Sequence, residues 1–95
     1  GDEDAAREIV STVKEELARH LSDLKEMRES AILPVENIGK VAHKLLPIAS
    51  MTRMESVEAL TALSPERIHG IGEGQIRECL KMVINELQDI LAHDL

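Results

Sequence analysis

Apolar residues recur along this chain at steps of three and four, and the pattern is interrupted wherever proline, glycine or clustered polar residues appear. In the first stretch Ile9, Val13, Leu17, Leu21 and Leu24 keep the step, with Val10, Ala18 and Met27 beside them. This predicts a long amphipathic helix over residues 4–28. Asp2, Glu3 and Asp4 fall at its positive end, where each carboxylate stabilises by about a few tenths of a kcal/mol. Residues 29–33 break the pattern, and Pro34, with a fixed φ and no amide to leave unpaired, suits the opening turn of a second helix. Ile38, Val41, Ala42, Leu45 and Ala49 give that helix one apolar face reaching Met51 or Met54.

Pro47 lies within this second stretch and lacks the amide that would bond the carbonyl of His43, which predicts a bend or frayed turn there. The other reading ends the helix at Leu46 and starts a fresh turn at Pro47. A shorter helix over residues 55–63 would bury Val57, Leu60 and Leu63, and Ser64-Pro65-Glu66 can cap and open a further turn. His69-Gly70-Ile71-Gly72-Glu73-Gly74 reads as a flexible connection; without a strand before it, its glycine spacing is not a dinucleotide loop. Ile76, Cys79, Leu80, Val83, Leu87, Ile90 and Leu91 then form the inner face of a last helix over residues 75–92. Four amphipathic helices with short links predict an all-α fold, an antiparallel up-down four-helix bundle.

Ninety-five residues make one domain with one core. Phe, Tyr and Trp are absent, so aliphatic side chains and Met must fill that core, and stacking on nucleobases is excluded. Eighteen acidic against eleven basic residues leave a formal charge of −7, which repels a phosphate backbone and anionic lipid headgroups. Neither nucleic acid nor direct membrane contact is expected. Cys79 is the lone cysteine and no zinc-type spacing of Cys and His occurs, so no metal site is expected and a reducing, cytoplasmic setting fits. No stretch reaches the roughly 20 apolar residues of a membrane span. Gly1 reads as a cloning scar.

Four histidines remain as candidate chemistry. His20 lies beside the apolar stripe of the first helix, His69 in the glycine-rich link and His93 near the C-terminus, all three expected as solvated side chains. His43 differs: at 100° per residue it falls roughly 140° from Ile38, outside the apolar face of the second helix. Gly39 lies one turn before it, Leu46 and Pro47 one turn after, and Lys40 and Lys44 flank it. Gly39 costs roughly 1 kcal/mol against alanine within a helix. Its missing side chain would give a partner access to His43, or else permit a tight helix contact. Ser50, almost two turns on, could complete the same rim, and Met51 and Met54 read as an adaptable surface or as core filling. Paired carboxylates, a Ser/His/Asp set and HExxH spacing are all missing, which argues against a hydrolytic or metal enzyme.

With these residues in view, Ala42-His43-Lys44-Leu45-Leu46-Pro47-Ile48-Ala49-Ser50 resembles the A-H-x-L-K-G-S/A segment of histidine-containing phosphotransfer (HPt) domains. Alanine, histidine and the leucine two later match, while Leu46 stands for the usual lysine and Pro47 for the usual glycine. The H-K-L-L-P form is similar to the H-K-M-L-P form in HPt modules ending some hybrid sensor histidine kinases of Bacteroidetes-type bacteria. The order of elements across the whole chain, residues 1–95, supports the likeness.

The resemblance implies a monomeric phosphorelay intermediate, a piece of a longer chain that would be the cytoplasmic portion of a membrane-anchored sensor kinase. It would have no kinase activity of its own. His43 would be the phosphoacceptor, exchanging a phosphoryl group with the aspartate of a response-regulator receiver domain. Gly39, Lys40, Lys44, Leu46, Pro47 and Ser50 would make the phosphate and partner surface. Lys40 or Lys44 would stand in for the lost lysine, and Leu46 would anchor the partner or lie at the edge of the core. Mg²⁺ is expected in the receiver and no cofactor in this chain. The competing expectation is a non-catalytic helical adaptor, including a degenerate HPt domain that carries no phosphate.

Overall fold

Four α-helices and one short 3-10 turn make up the computed structural model, which describes the backbone of residues 2–93 and the side chains of residues 12–93. They are α1 (Asp2–Glu29), α2 (Val35–Met51), α3 (Val57–Ala62) and α4 (Glu73–Ala92), with the 3-10 turn at Ile68–Gly70 between the last two. No strand occurs among the described residues, so the all-α expectation holds. The side chains of Asp2, Glu3, Asp4, Ile9 and Val10 lie outside the described set, as does Gly1. The longest interface joins α1 to α4, while α2 packs on α3 and α1, and α3 on α4.

The core is the aliphatic one the composition demands. Leu17 and Leu24 of α1, Ile38, Ala42, Leu45 and Ala49 of α2, Leu60 of α3, and Leu80, Val83 and Leu87 of α4 are buried together with Leu63 and Ile68. Burying a leucine-sized side chain stabilises by about 1.5–3 kcal/mol, so this cluster is the main force holding the helices. Met54 belongs to it, whereas Met51 is 84% exposed, which divides the methionine pair between core and surface.

Helix α2 runs unbroken through Pro47, so its interior proline costs one hydrogen bond without ending the helix. Its start is one residue later than expected, with Pro34 at the N-cap. At its other end the Met54 amide donates to the Ala49 carbonyl at 3.0 Å, and Arg53 takes a left-handed φ of 55°. These are the marks of a Schellman turn, here closed without glycine.

Helix α3 has only six residues, too few to persist alone. Its N-terminus is held from thirty residues away. The Glu86 carboxylate of α4 accepts hydrogen bonds from the amides of Glu55 at 2.7 Å and Ser56 at 2.8 Å, and from the Ser56 hydroxyl. Burial pushes the Glu86 carboxyl up, but those three donors outweigh it and hold the group below its ordinary value. Helix α4 begins at Glu73, ahead of the expected residue 75, with Gly72 extended at its N-cap, so the glycine-rich link is shorter than its composition suggests. Arg77 ties this end to the α1 terminus, donating to the carbonyls of Arg28 and Ser30 and pairing with Glu73.

One histidine departs from its expectation. His20 is buried at 6% exposure, three residues after Leu17 and four before Leu24, because α1 faces both α4 and α2 and its buried stripe is wider than its leucines. Neither ring nitrogen has a hydrogen-bond partner. Desolvation lowers its pKa from the ordinary 6.5; Glu16 and Asp23 oppose that shift, while Arg19 and Lys44 reinforce it. His69 and His93 are exposed as expected, with His93 Nδ1 2.8 Å from the Asp89 carbonyl.

Candidate functional site

The solvent face of α2 carries His43, and the ring is exposed, as its angular position on the helix required. Ala42 on one side of it in sequence and Leu45 two positions on are fully buried, so the backbone beneath the ring is clamped to the core. Lys40, Lys44, Pro47 and Ser50 are exposed on the same helix, and Leu46 is half-buried. Leu46 therefore joins the edge of the core to the surface beside His43, which is the core-edge placement expected for it.

Gly39 is placed otherwise than an access role requires. It is buried, and a Cβ built on it would stand 3.3 Å from both Cα and Cγ of Pro65. The missing side chain serves an internal contact: it lets the Ser64–Pro65 turn close against α2 one helical turn before His43. This is the tight-contact alternative, with a turn in place of a helix as the neighbour. Gly39 thus belongs beneath the site and does not form its surface.

That approach builds a concavity of about 470 Å³ lined by His43 and Leu46 from α2 and by Thr61, Ser64, Pro65, Glu66 and Arg67 from the end of α3 and the turn after it. The turn is pinned by the amides of Arg67 and Ile68, which both donate to the Ser64 carbonyl at 3.0 and 2.9 Å. Ile68, fully buried, anchors its far end. The Thr61 hydroxyl is engaged with the Val57 carbonyl at 2.9 Å. Of the residues expected around His43, only Leu46 shares this lining; Lys40, Lys44, Pro47 and Ser50 lie on the helix outside it.

Sequence reasoning missed the second wall altogether. Its signal was faint: Ser64-Pro65-Glu66 was legible as a turn opener, but nothing in local spacing tied it to Gly39 or brought Arg67 to the histidine. Among the described residues no carboxylate is paired with the Arg67 guanidinium.

Chemically, this is an exposed imidazole on a rigid helix, beside a groove whose lining includes one basic residue, Arg67, one acidic residue, Glu66, and the apolar Leu46 and Pro65. It can offer a nucleophilic nitrogen to an approaching surface. No group of three or more His, Cys, Asp or Glu that could hold a metal ion occurs among the described residues. Cys79 is buried, and burial followed by the neighbouring Glu78 pushes its thiol up, which makes it a packing residue. No helix among the described residues is long and apolar enough to cross a membrane. Comparison with known proteins gives no significant match to any family model, curated protein or solved structure.

Proposed function

We propose that this domain is a phosphorelay intermediate of the HPt kind, which accepts a phosphoryl group on His43 from the aspartate of a receiver domain and passes it on. The observation that carries the reading is the exposure of His43 on a helix whose opposite face is locked in the core. A relay nucleophile must be rigid in its backbone and open at its ring, and His43 meets both demands. Little else is required of so small a domain, because phosphoryl transfer is governed by positioning and charge stabilisation. The free lone pair of a neutral imidazole is itself the nucleophile, so the transfer calls for no separate catalytic base.

In the transfer the imidazole lone pair forms the N–P bond as the P–O bond to the receiver aspartate breaks. The carboxylate leaves with the bonding pair, and the ring releases its remaining N–H proton to solvent. Mg²⁺ belongs to the receiver. The fold that goes with this function is an antiparallel up-down bundle, and the short links between consecutive helices and the pairing of α1 with α4 and α2 with α3 support it.

The test is incubation with phosphorylated receiver domains and Mg²⁺, followed by a search for label that survives alkali and is lost in acid. The wild-type chain carries it and His43→Gln does not. A wild-type chain that stays unlabelled across a broad panel of receivers refutes the relay and leaves the non-catalytic adaptor.

A further inference from the structure

We infer that Arg67, which lines the His43 groove from the turn after α3, is the cation that binds the phosphoryl group during transfer, the part that α2 leaves unfilled. This rests on His43 being the phosphoacceptor, and it assigns the charge partner of that same site.

Three observations carry it. The residue one turn after His43 is Leu46, which offers no charge to a phosphoryl group. Lys40 and Lys44, the cations of α2 nearest in sequence, are exposed but do not line the groove, whereas Arg67 does. Lastly, no ion pair engages the Arg67 guanidinium among the described residues, so an incoming anion meets a free donor group.

The chemistry fits an arginine. Charge in the transfer is spread over three equatorial oxygens, and a planar guanidinium contacts two of them at once, which an ammonium does less well. Its base is also well placed: the Arg67 amide is bonded to the Ser64 carbonyl, and the turn is held against α2 at Gly39. The one opposing charge in the lining is Glu66. It repels a phosphoryl group, so the net field of the groove depends on Arg67 being present.

The experiment uses phosphoramidate as a small donor, so that no receiver is needed. Its P–N bond breaks as the His43 N–P bond forms, and ammonia leaves. Labelling is followed by intact mass and by ³¹P NMR, and the fold of each variant by circular dichroism. Wild type gains one phosphoryl group, and His43→Gln gains none. Arg67→Gln is labelled about five- to tenfold more slowly, the scale of a charge-assisted contact at a solvent-exposed position. Arg67→Lys falls between the two, Lys40→Gln stays within about twofold of wild type, and Leu46→Lys restores labelling in the Arg67→Gln background. Glu66→Gln is labelled faster than wild type.

Labelling of Arg67→Gln at the wild-type rate overturns the assignment while leaving His43 as acceptor. A drop on Lys40→Gln that matches or exceeds the one on Arg67→Gln overturns it in favour of α2. A wild-type chain that takes no phosphate on His43 removes both this inference and the reading beneath it.

Discussion

Replacing His20 by leucine is expected to make the protein more stable. His20 is only 6% exposed, and neither ring nitrogen finds a hydrogen-bond partner. An unsatisfied buried polar group costs about 1–3 kcal/mol, and leucine fills a similar volume with no polar atom. The expected gain is about 1–3 kcal/mol, a substantial part of the roughly 5–15 kcal/mol that holds a domain folded. In a thermal melt this raises Tm by about 4–8 °C per kcal/mol. The pH dependence is the sharper readout. The groups that bear on His20 are Glu16, Arg19 and Asp23 on α1 and Lys44 on α2, with desolvation dominant, so its folded pKa lies below the unfolded 6.5. The unfolded chain therefore binds the proton first. Wild type keeps its full stability above about pH 6.5, loses it as pH falls toward the depressed folded value at a slope of at most about 1.4 kcal/mol per unit, and levels off beneath that value. Urea titrations of wild type and His20→Leu across this window measure the difference directly. A leucine variant that is less stable at pH 7.5, or one whose pH profile parallels wild type, refutes the argument.

Other outcomes follow from single contacts. Glu86→Gln, which weakens the hydrogen bonds capping α3, is expected to cost about 1–3 kcal/mol in urea denaturation at pH 7. Because the folded Glu86 carboxyl is held below the ordinary 4.5, its contribution is present above that pH and lost as the pH falls through the folded value, so wild type and variant converge in acid. Arg53→Gly removes the left-handed strain at the end of α2 and is expected to stabilise by about 0.5–1 kcal/mol, read as a shift in the urea midpoint with an unchanged slope. At Gly39, alanine gains about 1 kcal/mol of helix propensity but presses on Pro65, so stability changes by less than about 1 kcal/mol. Because the Pro65 backbone must yield, the proposed phosphoryl transfer to His43 is expected to slow even so, read as the rate of labelling by phosphoramidate. Leucine at position 39 is strongly destabilising, and a Gly39→Leu protein with wild-type Tm contradicts the contact.

How much of this was legible beforehand varies by residue, and the physics explains why. Periodicity along α1, α2 and α4 encodes their burial directly, since each residue's face follows from its number along the helix; the exposure of His43 and the burial of Leu45 and Ala49 were readable on that ground alone. Proline within α2 was ambiguous in sequence because the cost of one lost bond has to be weighed against core contacts on both sides of it. Only the packed structure contains those contacts, and they carry the helix through to Met51. His20 was misjudged because the width of a buried stripe depends on how many neighbours a helix has, and α1 has two.

What the sequence alone determined is the helical class, the aliphatic core and the outward placement of one histidine, because these depend on residue spacing within single helices. Tertiary structure decided the rest, through pairs too far apart along the chain for local spacing to register. Glu86 holds the N-cap residue of α3, Ser56, from thirty residues away, and Gly39 admits Pro65, which in turn carries Arg67 to the groove beside His43. A local pattern states which face of a helix is wet; only the packing of one element against another states what stands across from it.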